Sequence, residues 1–190
     1  MGRSKLLLPW GASSVLAHLI QTWTELGATQ IAVVCLPDGS DLLSELDRFG
    51  NPGVGRILNP EPDRGMFSSI QCAAAWDHWN SSLTHWIIAL GDQPHLQLGT
   101  LRALLDAARA KPDNIWQPLR TGHRKHPLWL PKKEFLALRE SPAADLKEFL
   151  GARAGEFAGF ESDDVGLDFD MDTPADYERA RRLYFKGEVD

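Results

Sequence analysis

The chain has 190 residues, 43% of them apolar and 24% charged, with a formal net charge of −6. These proportions suit one globular domain with a sizeable core and exclude wholesale disorder. The mild acidity argues against a nucleic-acid backbone as the main partner, and no apolar run approaches the roughly 20 residues of a membrane-spanning helix.

The apolar run Leu6-Leu7-Leu8 stops at Pro9 without a small-residue cleavage site, so the expected location is the cytoplasm. Apolar residues at Val15, Leu16, Leu19, Ile20, Trp23 and Leu26 mark a helix over 13–27, with Gly27 at its stop. The continuously apolar stretch 31–36 reads as a strand covered on both faces, and Pro37-Asp38-Gly39-Ser40 as a turn. Cys35 and Cys72 lie far apart in apolar stretches and read as reduced core thiols. A short helix over 41–48, a strand over 54–58, a loop over 59–65 and a helix over 67–79 follow.

The second strongly apolar strand, 84–90, ends abruptly at Gly91-Asp92-Gln93-Pro94. Beyond it the pattern predicts a helix over 100–110, strands over 114–119 and 127–130, and helices over 132–139 and 143–150. The last helix, 174–185, is announced by Asp172-Thr173-Pro174, cap-type residues followed by proline at the first helical position. This alternation predicts a single domain over 1–190, a three-layer α/β/α sandwich with a mostly parallel sheet. Ligands of such sheets sit outside the carboxyl ends of the strands, which selects the loops to inspect.

Asp92 stands just past the end of a buried strand, where a short carboxylate suits a hard divalent cation; the same residues would also make a plain tight turn. In Asp168-Phe169-Asp170-Met171-Asp172 the carboxylates alternate, so an extended chain points them to one face. That is expensive unless a cation compensates, although Asp172 could equally cap the last helix. Lys5 in a short loop could hold phosphate oxygens. Gly65, Ser68 and Ser69 place free amides and hydroxyls at a helix start, which favours anions or capping. His123, Arg124, Lys125 and His126 form a basic turn; if it binds an anionic acceptor, all four should face the same cleft as Asp92. No spacing of Cys, His and acidic residues makes a zinc site persuasive.

The order of these segments resembles the MobA-like nucleotidyltransferases, and within them the molybdenum-cofactor cytidylyltransferases. The resemblance rests on Met1-Gly2-x-x-Lys5-x-Leu7-Leu8-Pro9-Trp10-Gly11, Asn59-Pro60, Gly65-Met66-x-Ser68-Ser69-Ile70, Gly91-Asp92-Gln93-Pro94, His126-Pro127 and Asp170-Met171-Asp172-Thr173-Pro174-x-Asp176-Tyr177. It implies a Rossmann-like fold and a Mg²⁺-dependent enzyme in which a phosphate oxygen attacks the α-phosphorus of a nucleoside triphosphate. It further implies phosphate contact by Lys5, metal binding by Asp92 with Asp170 or Asp172, and nucleotide or substrate contacts at Gly65, Ser68, Ser69, Gly91 and His126. CTP and a molybdopterin-type acceptor are the implied pair; a sugar phosphate acceptor, or a non-catalytic nucleotide-binding relative, are the alternatives.

Three departures from the family pattern stand out, one being that no base-reading residue carries over, which leaves CTP against GTP or another triphosphate open. The family opens with a strand and a Leu-Ala-Ala-Gly-x-Ser-x-Arg loop ahead of the Met-Gly found here at Met1-Gly2. Without those backbone amides the expectation is weak nucleotide binding, little transferase activity and an unpaired sheet interior that leaves association into homo-oligomers open. The family's Gly-Asp-x-Gly-Ala-Arg stretch is replaced by Asp145-Leu146-Lys147-Glu148-Phe149-Leu150, which leaves the acceptor open.

Overall fold

The computed structural model describes residues 4–48 and 54–185; Met1 and Gly2 of the opening motif lie outside the described residues. The chain enters through a 3-10 turn, Lys5–Leu7, and a small antiparallel ribbon of β1 (Pro9–Trp10) and β2 (Ser13–Ser14). Helix α1 (Val15–Glu25) starts where Ser14, in extended conformation, accepts the Ala17 amide on its side chain. That is the capping geometry its residue type favours. Strand β3 (Ile31–Cys35), helix α2 (Ser40–Arg48) and strand β4 (Val54–Leu58) follow, and β3 pairs with β4 in parallel.

Helix α3 (Met66–Ala75) stops four residues short of the reach expected from its apolar pattern. Trp76 leaves the helix in extended conformation and lies flat on Gly55, where any side chain would overlap its ring. The Trp79 indole then donates to the Ala73 carbonyl at 2.8 Å and joins Trp76, Trp86 and Phe135 in an aromatic cluster. Packing of large aromatic rings, not helix propensity, decides this terminus.

The larger sheet holds β5 (His85–Ile88), β6 (Ile115–Arg120), β7 (His123–Arg124), β8 (Leu128–Pro131) and β9 (Phe157–Glu161). The expectation of a mostly parallel sheet is corrected here, because the pairing is mixed. β8 pairs antiparallel with both β5 and β6, β7 pairs antiparallel with β6, and β9 pairs parallel with β6. The physical cause is the tight reversal at Thr121-Gly122, both at positive φ, which sends the chain straight back beside β6. Strand β9 is absent from the sequence reading: Phe157-Ala158-Gly159-Phe160-Glu161 is short and interrupted by glycine. Gly159 is needed there, since a Cβ would stand 2.9 Å from Leu119 on the paired strand.

Helices α4 (Leu98–Ala110), α5 (Lys132–Ala137), α6 (Leu146–Gly151) and α7 (Pro174–Phe185) complete the fold. One core joins α3, α5 and α6 to Trp86, Ile115, Leu128 and Leu130 of the larger sheet. A second joins α1 and α2 to β3, and a third packs Trp10 and Val15 against Met171 and Ala180. Leu6 belongs to the second and third, so the entering turn is anchored between them. No helix among the described residues is long and apolar enough to cross a membrane.

Candidate active site

The third core positions the chemistry. Met171 is fully buried, so its neighbours Asp170 and Asp172 are turned away from the core, as the alternation of an extended chain requires. The Met171 amide donates to the Asp92 carbonyl at 3.1 Å and ties this segment to the loop after β5. Leu6 packs against Gly91, where a Cβ would sit 2.7 Å from Leu6 Cδ2, and this brings Lys5 over the same place.

Lys5 Nζ lies 2.6 Å from Asp172 Oδ1 and 3.6 Å from Asp92 Oδ2. The hydrogen bond that Lys5 donates to Asp172, reinforced by the charges of both aspartates, raises the Lys5 ammonium above its ordinary range. Burial pushes the Asp92 carboxyl up, and the charge of Asp170 pushes it further, while Lys5 pulls it back. Asp170 Oδ1 accepts a 2.8 Å hydrogen bond from Gln93 Nε2. His126 Nδ1 is 3.3 Å from the Ile88 carbonyl; burial holds the ring below its usual range against the opposing charges of Asp170 and Asp92. The imidazole is therefore neutral near pH 7, with Nδ1–H donating to that carbonyl and Nε2 left as an acceptor.

The competing role for Asp172 falls away. The last helix is capped by Thr173 and Asp176: the Thr173 amide donates to Asp176 Oδ2 at 2.9 Å, and the Asp176 amide donates to Thr173 Oγ1 at 3.2 Å. This reciprocal arrangement is a capping box with aspartate in place of glutamate. Asp172 is left to Lys5.

The loop after β4 is built around Asn59, which is 1% exposed. Its Nδ2 donates to Ser68 Oγ at 2.8 Å and to Ser69 Oγ at 3.0 Å, and its Oδ1 accepts the Glu61 amide. Ser68 is buried and donates in turn to the Gly65 carbonyl at 2.8 Å, so its hydroxyl is committed to holding the loop. Ser69 is half-buried. Gly65, at φ +80°, precedes α3 without a side-chain cap, which leaves the helix start to its own amides.

The basic turn is dispersed. Arg124 lies over the Phe157 ring at 3.7 Å, Lys125 pairs with Asp168 at 3.2 Å, and His123 is exposed. Of the four, His126 is the member within electrostatic reach of Asp92 and Asp170. Asp168, paired with Lys125 and Arg120, likewise stands apart from the Asp170–Asp172 pair.

Residues to which the sequence assigned no role of their own also shape the site. Gln93 is buried and grips Asp170. His95 is buried, 3.1 Å from the Gly166 carbonyl through Nε2, and stacks on Phe169 at 4.3 Å. Asn59 organises both serines. Each is a polar residue inside a turn-forming segment, where turn chemistry masks a side-chain role.

Among the described residues, no group of three or more His, Cys, Asp and Glu side chains stands ready to enclose a metal ion. Two carboxylates, Asp92 and Asp170, do lie close enough to interact. That donor set fits Mg²⁺ or Mn²⁺, which bind through one or two carboxylates plus substrate phosphates and water.

A mixed α/β sheet with acidic residues at the end of β5, a lysine held over them and a neutral histidine beside them defines a nucleotidyltransferase-type enzyme. The chain belongs to the family described as the MobA-like NTP transferase domain, which matches residues 1–156. No curated protein matches it.

Solved structures show the same fold. Rv0371c from Mycobacterium tuberculosis, in a complex with manganese, is 22% identical with a TM-score of 0.67, covering 95% of this chain and 93% of that one. A nucleotidyl transferase from Methanothermobacter is 19% identical with a TM-score of 0.77, covering 96% and 86%. Molybdopterin-guanine dinucleotide biosynthesis protein A from Archaeoglobus fulgidus is 14% identical with a TM-score of 0.65, covering 97% and 92%.

Proposed function

We propose that this protein transfers a nucleoside monophosphate from a nucleoside triphosphate to a small phosphorylated acceptor, with Mg²⁺ held by Asp92 and Asp170. The observation that carries this reading is the meeting of Asp92 and Asp172 at Lys5, just past the end of β5, with Asp170 close enough to Asp92 to push its carboxyl up. Bound there, the metal would neutralise phosphate charge and polarise the α-phosphoryl group. The chain's own residues bind and orient. Lys5, half-exposed and always protonated at neutral pH, moves from Asp172 to the phosphates as a point charge. Neutral His126 offers Nε2 as an acceptor to a substrate hydroxyl or amine. The uncapped start of α3 behind Gly65, with Ser69, receives nucleotide or acceptor oxygens.

In the reaction an acceptor phosphate oxygen forms a bond to the α-phosphorus. The bond from that phosphorus to the bridging oxygen breaks, and pyrophosphate leaves with the electron pair. Positioning and charge neutralisation supply most of the acceleration, so no side-chain nucleophile is required. CTP is the favoured nucleotide and a molybdopterin-type cofactor the favoured acceptor, from the motif resemblance to the molybdenum-cofactor cytidylyltransferases. The decisive assay is pyrophosphate release with Mg²⁺, each of the four nucleoside triphosphates, and molybdopterin or sugar phosphates as acceptor. Release that depends on CTP and molybdopterin supports the reading. Release with a sugar phosphate instead would replace the acceptor, and no release with any pair, together with no nucleotide binding, would overturn the reading.

A further inference from the structure

We infer that Gln93 is a positioning residue that holds Asp170 in its metal-binding orientation at the expense of fold stability. The inference rests on the reading of Asp170 as a metal ligand. Gln93 is 6% exposed, and its Nε2 donates to Asp170 Oδ1 at 2.8 Å. Its Oε1 is fully buried and has no hydrogen-bond partner among the described residues. An aspartate carboxylate only accepts, so the amide nitrogen must face Asp170 and the amide oxygen is forced into the interior. Turning the amide over would set oxygen against oxygen.

A buried carbonyl oxygen without a donor is a standing cost, and such groups are scarce in folded proteins. An apolar side chain of the same length would fill the space without that cost. What glutamine adds is the grip on a half-buried carboxylate whose neighbour, Asp92, repels it. The loop is already joined to this segment by the bond from the Met171 amide to the Asp92 carbonyl, so Gln93 is not needed to bring the two together. Its contribution is to the direction of the carboxylate. Partners that orient metal ligands in this way typically change metal affinity by about 10–100-fold when removed.

The test is Gln93→Met, with Gln93→Ala as a second variant if the first does not fold. Two quantities are measured: the melting temperature without metal, and Mn²⁺ affinity by calorimetry at a temperature where the protein is fully folded. A melting temperature unchanged or higher by about 2–4 °C, with Mn²⁺ affinity lower by about 10–100-fold, is expected. Unaltered Mn²⁺ affinity in a folded variant overturns the inference, whatever the melting temperature does. The Asp92→Asn protein serves as the separate control. Loss of Mn²⁺ binding there with none in Gln93→Met leaves the metal site standing and removes Gln93 from it. Unaltered binding in both would remove the metal site itself.

Discussion

Asp92, in the loop after β5, and Asp164, at the turn before Val165–Asp168, are both carboxylates near the candidate site, yet they live under opposite conditions. Asp164, 3% exposed, accepts the Gln97 amide, the Thr100 hydroxyl and the Gly166 amide, each at 2.9 Å. Asp92 is more open, has Lys5 at 3.6 Å and Asp170 near enough to repel it, and burial raises its affinity for a proton. One carboxylate is saturated by donors and stitches α4 to the segment before the site. The other is left under-neutralised, which is the state a divalent cation relieves. Counting donors around an acid separates a saturated aspartate from a candidate functional one where sequence position alone does not.

The contrast can be broken by substitution. Asp92→Asn should lower turnover by about 10²-fold or more, as loss of a charge positioned at the transition state does. Because folding favours the protonated form of Asp92, the neutral amide should melt no lower than the parent. Turnover and a thermal melt on the same preparation check both; parental turnover would remove Asp92 from the site. Asp164→Ala should do the reverse. It strands three donors, two of them in buried bonds, at about 3 kcal/mol in all, and should lower the melting temperature by about 6–12 °C. Turnover per folded molecule should hold near the parental value, and a collapse of activity in a fully folded Asp164→Ala would place Asp164 in the chemistry after all.

Lys5→Met sharpens the comparison at the open end. Nucleotide affinity should fall by roughly tenfold, read by calorimetric titration. The pH dependence has a definite sign. Asp92 already titrates higher than an ordinary aspartate, so protons displace the metal earlier as pH falls. Removing the opposing Lys5 charge should move the midpoint of Mn²⁺ binding to higher pH still, and a shift to lower pH would contradict the arrangement. The smallest effect belongs to Thr173→Ala, which removes the cap of α7 at about 1 kcal/mol and should lower the melting temperature by about 2–4 °C. Metal binding should be untouched, since the cap and the Lys5-bound Asp172 are separate.

Helices α1, α2, α4 and α7 and strands β3, β4 and β5 follow from local pattern: apolar periodicity, Ser14 as cap, and Asp172-Thr173-Pro174 at the final start. The proximity of Lys5 to Asp92 and Asp172, and of Asp170 to Asp92, agrees with the motif order, and Asp92 falls past the end of β5, where such sheets present ligands. The basic turn was not, since charge clustering in sequence says nothing of which partners each side chain finds. Lys125 found Asp168 and Arg124 found Phe157.

By itself, then, the sequence determined the class of fold, the alternation of elements and the acidic motifs, because periodicity and capping are properties of a few neighbouring residues. Tertiary structure alone decided the mixed sheet, the early end of α3 and the appearance of β9. It also decided that Asp164 is saturated while Asp92 is not, and that Gln93 turns its nitrogen to Asp170. These depend on groups far apart in the chain: a strand pairing, a tryptophan lying on Gly55, three donors converging on one carboxylate. Such contacts are set by packing and by the need to satisfy buried polar atoms, and no local pattern records them.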